Sequence, residues 1–366
     1  MVALHRESAV ARQLVDALTK LDWPASLLDI KLVCEAGDLS TIAALKAADP
    51  GPAFEIVEVP PMLPVTKPKA LNYALAGARG EFTVIYDAED RPHPGQLREA
   101  YRRFRSAPER LACLQAPLHI ANAQESAVSA LFALEYAGLF RSLLPMLARA
   151  GLPLPLGGTS NHFRTDVLRR VGGWDPFNVT EDADLGLRLH RLGYRSGVLS
   201  RPTIEDAPVR RRVWLNQRTR WYKGWMQTWL VMMRAPFALP REIGLKASLV
   251  FHLLIGGMLL SSLAHPLIIV LVVHTLHDLI GGHPLTGMER IILAVDIFNV
   301  LGSYWIIRQM GMKRMTARER RAVGWRQLLL PFYWLALSFA AWRALPELVR
   351  RPFFWRKTPH APASSP

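Results

Sequence analysis

The chain has 366 residues, half of them hydrophobic, with 45 Lys and Arg against 30 Asp and Glu, a formal charge of +15. That length allows about two domains, and a mean hydropathy of +0.11 is high for a soluble enzyme. Two cysteines, Cys34 and Cys113, exclude a disulfide framework and a zinc finger, and no zinc-finger or RNP-like pattern accompanies the basic excess, so no nucleic-acid partner is expected.

Residues 2–4 read as the tail of a first strand, and apolar residues at helical spacing predict a helix over 8–21, stopped by Asp22-Trp23-Pro24. The run 28–34 is a short buried strand ending in Glu35-Ala36-Gly37-Asp38. A helix over 41–48, a strand over 54–59, a helix over 69–78 and a strand over 82–86 follow. This alternation predicts an α/β fold with a mostly parallel, doubly wound sheet and helices on both faces. In such sheets ligands gather at the carboxyl ends of strands, where Glu35 and Asp87 fall.

Residues 126–150 predict a long amphipathic helix, suited either to the membrane interface or to a core. A helix over 213–234 carries Trp214, Trp221, Trp225 and Trp229 towards one side and suits headgroup depth. Three lipid-facing segments come next: 247–276, with Pro266 predicting a kink or a break; 291–307, whose Asp296 is expected to face protein or water; and 328–345. Arg210-Arg211-Arg212, Arg218, Arg220 and Arg350-Arg351 flank the apolar stretches, as expected of loops held at a cytoplasmic membrane face. Met1-Val2-Ala3-Leu4 leads straight into His5-Arg6-Glu7, which is no signal peptide, so insertion is expected to depend on the later helices. Residues 359–366 are expected to be disordered.

Asp87-Ala88-Glu89-Asp90 closes an apolar strand, and carboxylates there can hold Mg²⁺ or Mn²⁺ against a diphosphate or simply form a solvated turn. Glu35 and Asp38 can bind a ribose or base, or cap the next helix. Thr180-Glu181-Asp182 opens a helix, where Thr180 is an N-cap and a fixed carboxylate is a base for an attacking hydroxyl. In Gln217-Arg218-Thr219-Arg220-Trp221, Arg220 can neutralise a leaving diphosphate and Trp221 can stack on a sugar. The small residues of 157–162 predict a loop that lets backbone approach a ligand, and Lys67 and Lys69 can reach phosphate.

In this order, a carboxylate after an early strand, D-x-(D/E), T-E-D and Q-x-x-R-W beside membrane helices, the sequence resembles the processive family 2 glycosyltransferases, and most of all a bacterial cellulose-synthase-like subgroup linked to exopolysaccharide. The resemblance implies a GT-A-like catalytic domain over 1–205, an interfacial region over 206–240, three to four transmembrane helices over 241–350 and a basic tail over 351–366. It also implies an inverting transfer from a UDP-sugar to a growing β-linked polysaccharide at the cytoplasmic face of a bacterial inner membrane, with envelope secretion partners. Transfer to a lipid carrier and a catalytically silent envelope scaffold are the alternatives. Carried over by position, Glu7, Glu35, Asp38 and Lys69 contact the donor nucleotide. Asp87 and Glu89 hold diphosphate and metal, with Asp90 able to share, and Asp182 is the base beside Glu181. Arg220 grips the pyrophosphate, while Thr159, Ser160, Gln217 and Trp221 face the acceptor. Glu89 stands where many relatives have Asp, and the chain begins inside the expected first strand, without the membrane helices that usually precede it.

Overall fold

The computed structural model describes residues 1–353; the disorder expected for 359–366 and most of the 351–366 tail lie outside the described residues. In chain order the elements are β1 (Val2–Leu4), α1 (Ala11–Thr19), β2 (Ile30–Glu35), α2 (Leu39–Ala47), β3 (Phe54–Val59), α3 (Lys67–Ala76), β4 (Phe82–Ile85), β5 (Arg91–Pro92), α4 (Gln96–Ser106), β6 (Leu111–Gln115) and β7 (Leu118–Ile120). They continue with α5 (Ala127–Gly138), α6 (Leu144–Arg149), β8 (Asn161–Arg164), α7 (Thr165–Arg170), α8 (Glu181–Arg191), β9 (Arg195–Val198), β10 (Thr203–Glu205) and α9 (Arg211–Met233). The rest is helical: α10 (Ala238–Ile243), α11 (Leu245–Phe251), α12 (Gly257–Ile280), α13 (Gly287–Met312), α14 (Ala317–Val323) and α15 (Leu330–Arg350).

β1, β2 and β3 pair in parallel, and a parallel bridge between Val2 and Tyr86 joins them to the end of β4. The sheet continues in the order β4-β8-β6-β9, with β8 antiparallel to both neighbours. The expected mostly parallel sheet is present, with one reversed strand. Interior strands such as β2 and β6 are buried along nearly their whole length, on both faces. In β2 the buried Lys31 is tolerated because Glu55 and Asp29 stand 2.5 and 3.2 Å from its ammonium. A small second sheet, β5-β10-β7, lies beside the turn that follows β4.

The loop expected over 157–162 is shorter than predicted, because Asn161 and His162 already belong to β8 and are buried. Ser160 makes the turn into that strand with φ +58°, a conformation rarely adopted by a residue bearing a Cβ.

Residues 126–150 resolve as a core element. α5 opens on a capping box between Ser126 and Ser129 and runs through a π turn at Leu139–Leu143 into α6, burying Phe132, Leu134, Phe140 and Leu144. Among the described residues, four helical stretches are long and apolar enough to cross a membrane: Ala127–Arg149, Leu245–Ile280, Gly287–Met312 and Ala317–Arg350. The last three keep large apolar side chains outward, such as Phe298 and Ile280, as lipid contact requires. Pro266 lies inside an unbroken α12, so the predicted break is absent, and the irregularity sits earlier, in a π turn at His252–Gly256. Asp296 is half-buried and Asn299 exposed on α13. α5 and α13 cross where Gly138 meets Gly311, and a Cβ on Gly311 would overlap Leu134.

The tryptophan face of α9 is turned to protein, not to lipid headgroups. Trp214 is buried with its indole N–H donating to the Tyr333 hydroxyl at 3.2 Å, and Trp229 donates to His252 Nδ1 at 3.3 Å. Wide apolar rings with one donor suit a helix wedged between α5 and α15 as well as they suit an interface.

Candidate active site

The acid turn after β4 is braced from inside. Asp90 is 1% exposed, and its Oδ2 accepts from the Asp87 N–H at 2.7 Å and from the Thr159 hydroxyl. Burial and the neighbouring Asp87 and Glu89 push the Asp90 carboxyl well up from the ordinary aspartate range. This bracing leaves Asp87 and Glu89 in the wall of a cavity of about 690 Å³. Thr159 borders the cavity but spends its hydroxyl on Asp90, and Ser160 is fully buried, donating to the Thr203 hydroxyl at 2.6 Å. Ser160 is therefore turned away from the acceptor role expected of it.

At the β1–β2 end of the sheet, Glu35 and Glu7 also border this cavity. Glu35 pairs with Lys69 at 2.7 Å. Asp38 stands outside the cavity as the N-cap of α2, accepting from Thr41 N–H, and lines an adjoining open groove with His5, Arg6 and Glu35. Burial resists ionisation of its carboxyl, but hydrogen bonds from the Arg6 and Thr41 backbone outweigh that and hold its pKa low. The lysine that meets the acid turn is Lys67, not Lys69: its ammonium is bonded to Asp87 and donates to the Gly158 carbonyl at 2.6 Å. Burial opposes its charge, but Asp87, Glu181 and Asp182 around it raise its pKa.

α8 starts at Glu181, and Thr180 occupies the N-cap position without the side-chain bond that was expected, its hydroxyl donating instead to Asn178 Oδ1 at 3.3 Å. Gly158 lies so near the acid pair that a Cβ on it would come within 3.4 Å of Asp182 Oδ2. Burial, reinforced by the adjacent Glu181 charge, lifts the Asp182 carboxyl to about 7, while Glu181 is raised mainly by burial. A carboxylate poised near neutrality is suited to take a proton from a hydroxyl.

α9 supplies the opposite wall. Arg220 is drawn down by burial but lies among Glu181, Asp87 and Asp182, which favour its charge. Gln217 and Trp221 border the cavity, and Gln217 Oε1 has no hydrogen-bond partner among the described residues. Behind Trp221 stands Arg218, which sequence reasoning placed among the membrane-flanking charges. It is buried, makes a two-pronged pair with Glu135 at 2.7 and 2.8 Å, donates to the Tyr333 hydroxyl at 3.0 Å and lies 4.5 Å from the Trp221 ring centre. Tyr136 stacks 6.5 Å from Trp221 on the α5 side. Gly224, one turn beyond Arg220, was also missed; a Cβ there would overlap Thr180, so glycine lets α9 press against the start of α8. Glu205, a third overlooked residue, ends β10 in the cavity wall, and a carboxylate at a strand's end is the same signal that singled out Glu35.

The far part of the cavity is apolar. It runs between the π turn of α5, the start of α12 and the faces of α13 and α15, past Phe140, Leu253, Met258, Ile307 and Leu337. One space thus joins the carboxylates of the α/β domain to helices long and apolar enough to cross a membrane.

A cation site fits the donor set. Asp87 and Glu89 offer hard oxygen ligands on one turn, and among the described residues no three His, Cys, Asp or Glu side chains form a closed cage. Mg²⁺ and Mn²⁺ commonly take one or two carboxylates and complete their shell with substrate phosphates.

Comparison with known proteins agrees with this architecture. The chain is 26% identical to the β-monoglucosyldiacylglycerol synthase of Synechocystis sp., over all of this chain and 75% of that protein. It is 22% identical to cellulose synthase 2 of Novacetimonas hansenii over 86% of this chain, which spans 21% of that much longer protein. Among solved structures, the mannosyltransferase PcManGT of Pyrobaculum calidifontis, in complex with GDP-Man and Mn2+, superimposes with a TM-score of 0.56 at 17% identity, covering 95% of this chain and 86% of that one; the fold is shared. Residues 82–349 match the profile of glycosyl transferase family group 2, and the chain belongs to that family of glycosyltransferases, which use a nucleotide sugar.

Proposed function

We propose that this enzyme moves a sugar, with inversion, from a UDP-sugar to a hydroxyl of a lipid or lipid-linked acceptor held at the membrane face of the cavity. The observation that carries the acceptor class is the single cavity that runs from Asp182 and Lys67 to Leu253, Ile307 and Leu337. An amphiphile fills such a space with its headgroup at the acids and its apolar part among the helices. The likeness to a β-monoglucosyldiacylglycerol synthase over the whole chain supports the same reading.

In this proposal the nucleoside lies along Glu7, Glu35 and the groove bordered by Asp38, with Lys69 fixing Glu35. Asp87 and Glu89 hold the divalent cation, which supplies positive charge to the departing diphosphate. Lys67 and Arg220 neutralise the same diphosphate. Asp182 takes the acceptor hydroxyl proton as its oxygen attacks the anomeric carbon from the face opposite the leaving group; one C–O bond forms as another breaks, and the α-linked donor becomes a β-linked product. Trp221, held flat by Arg218 and Tyr136, stacks on the acceptor headgroup, and Gln217 binds a hydroxyl beside it.

Elongation of a β-linked polysaccharide at a bacterial inner membrane is the second reading, favoured by Q-x-x-R-W and by the likeness to cellulose synthase 2. Detergent-purified protein given radiolabelled UDP-sugars with Mg²⁺ or Mn²⁺ separates the two. Label that passes into the organic phase in the presence of diacylglycerol or a polyprenyl phosphate supports lipid transfer. Label in an aqueous, ethanol-precipitable polymer supports elongation and overturns the lipid reading.

A further inference from the structure

The reaction as described gives no task to Glu205, a carboxyl in the cavity wall. Glu205 ends β10, where its carbonyl accepts from the Ala121 N–H at 3.0 Å and its register against Ile120 of β7 is fixed by the ladder. The side chain therefore leaves a rigid strand end and enters the cavity wall. Its Oε2 is buried with no hydrogen-bond partner among the described residues. Acidic groups crowd it: Asp90, Glu89 and Asp87 of the acid turn and Asp206, which follows it in the chain. Asp206 is matched by Arg91 at 3.0 Å, whereas Glu205 has no such ion pair among the described residues.

Such a placement is costly. A buried carboxyl oxygen without a partner destabilises the fold, and surrounding acids add to this. Among acids, a carboxyl finds its partner either by donating its own proton or by meeting a hydroxyl or a cation. The location narrows the choice. Glu205 borders the same cavity as the acid turn and as Tyr136, the ring that stacks on Trp221. Glu205 ends β10 of the small sheet and Glu35 ends β2 of the large one, so the two carboxylates border the cavity from different sheets. In the transferase reading the transferred sugar and the acceptor headgroup meet in this cavity, beside the acid turn.

We propose that Glu205 is a positioning residue that hydrogen-bonds an alcohol hydroxyl at the reaction centre, from either the acceptor headgroup or the ring of the transferred sugar. The assignment rests on the transferase reading above. It adds a contact that selects among substrates by their hydroxyls, since a site built to bind a hydroxyl discriminates strongly against an analogue lacking it.

The test uses full-length protein in detergent with UDP-sugar, Mn²⁺ and a lipid acceptor, comparing wild type, Glu205→Ala and Glu205→Gln. UDP affinity, hydrolysis of donor without acceptor, and transfer are measured separately. Glu205→Ala should lose 10- to 100-fold in transfer kcat/KM with UDP affinity and melting temperature held, and Glu205→Gln, which keeps a hydrogen bond, should recover most of the loss. A rise confined to the acceptor KM assigns the hydroxyl to the acceptor; a matching loss in acceptor-independent hydrolysis assigns it to the donor sugar. Wild-type-like transfer by Glu205→Ala overturns the proposal while leaving the transferase reading intact. A shift in Mn²⁺ dependence shared by both variants makes Glu205 a cation ligand and also overturns it. A wild type that transfers no sugar under any acceptor overturns both.

Discussion

Gly224 of α9 presses its bare backbone against Thr180, the residue that precedes the acid pair Glu181 and Asp182. Two segments of chain far apart in sequence thereby share one wall. Because Gly224 follows Arg220 by one helical turn, this contact sets how far the guanidinium stands from Asp182 and Asp87.

Gly224→Ala should therefore act on catalysis through geometry. The added methyl overlaps Thr180 and must push α8 from α9, at a cost of about 1–3 kcal/mol. We expect a transfer rate at least 10-fold lower together with a melting temperature lower by several degrees. Thermal unfolding and transfer measured on the same preparation check it, and unchanged values in both would show that the contact is slack.

Asp182→Asn should abolish transfer while leaving UDP affinity within about twofold. In the wild type kcat/KM should rise with pH through about 7, as the carboxyl loses its proton and becomes able to accept another. A profile flat from pH 5.5 to 8.5 would remove Asp182 from that role.

The same carboxyl makes a second, opposite prediction for stability. Its folded pKa of about 7 lies above the ordinary 3.8, so the folded protein retains a proton that the unfolded chain releases. Stability is then lost as pH rises from about 4 to 7, and Asp182→Asn should be more stable than wild type at pH 8, with the gain vanishing near pH 4. Equal melting temperatures of variant and wild type at pH 8 would contradict the account.

Arg218→Ala removes one side of a buried pair and leaves the Glu135 carboxylate with the Tyr333 hydroxyl alone. Breaking a buried pair in this way costs about 3 kcal/mol, and Trp221 loses the guanidinium beneath it. We expect a lower melting temperature and a raised acceptor KM, with Glu135→Gln on the same background adding little. Additive losses in that double mutant would mean that the two residues act independently.

Lys67→Met should weaken UDP binding 10- to 100-fold, since it deletes the cation between Asp87 and the Gly158 carbonyl. Lys69→Met should act more mildly, through Glu35. Isothermal titration with UDP and Mn²⁺ ranks the two, and the reverse order would return the phosphate contact to Lys69.

Much of the α/β half was legible because its signals are local. Alternating buried strands and helices predicted β1 to β4, and acids at strand ends marked Glu35, Asp87 and, had the rule been applied again, Glu205. What escaped depended on partners distant in sequence. The reversed β8 is short, and its buried Asn161 and His162 look like loop residues until β4 and β6 are placed on either side. Ser160 resembled an acceptor contact until Thr203 took its hydroxyl. Arg218 and the tryptophans of α9 have the composition of a membrane interface, and only the packing of α5 and α15 turns that face inward. Lys67 and Lys69 differ by two positions, and which one meets Asp87 depends on how α3 sits against the sheet.

The most direct measurement is sugar transfer from a panel of UDP-sugars to lipid acceptors in detergent, with Mn²⁺ or EDTA, by wild type and by Asp182→Asn. The account predicts one donor turned over into an organic-soluble β-glycoside, dependent on the cation and lost in the variant. Turnover that survives Asp182→Asn, or label that enters only a water-soluble polymer, would contradict it.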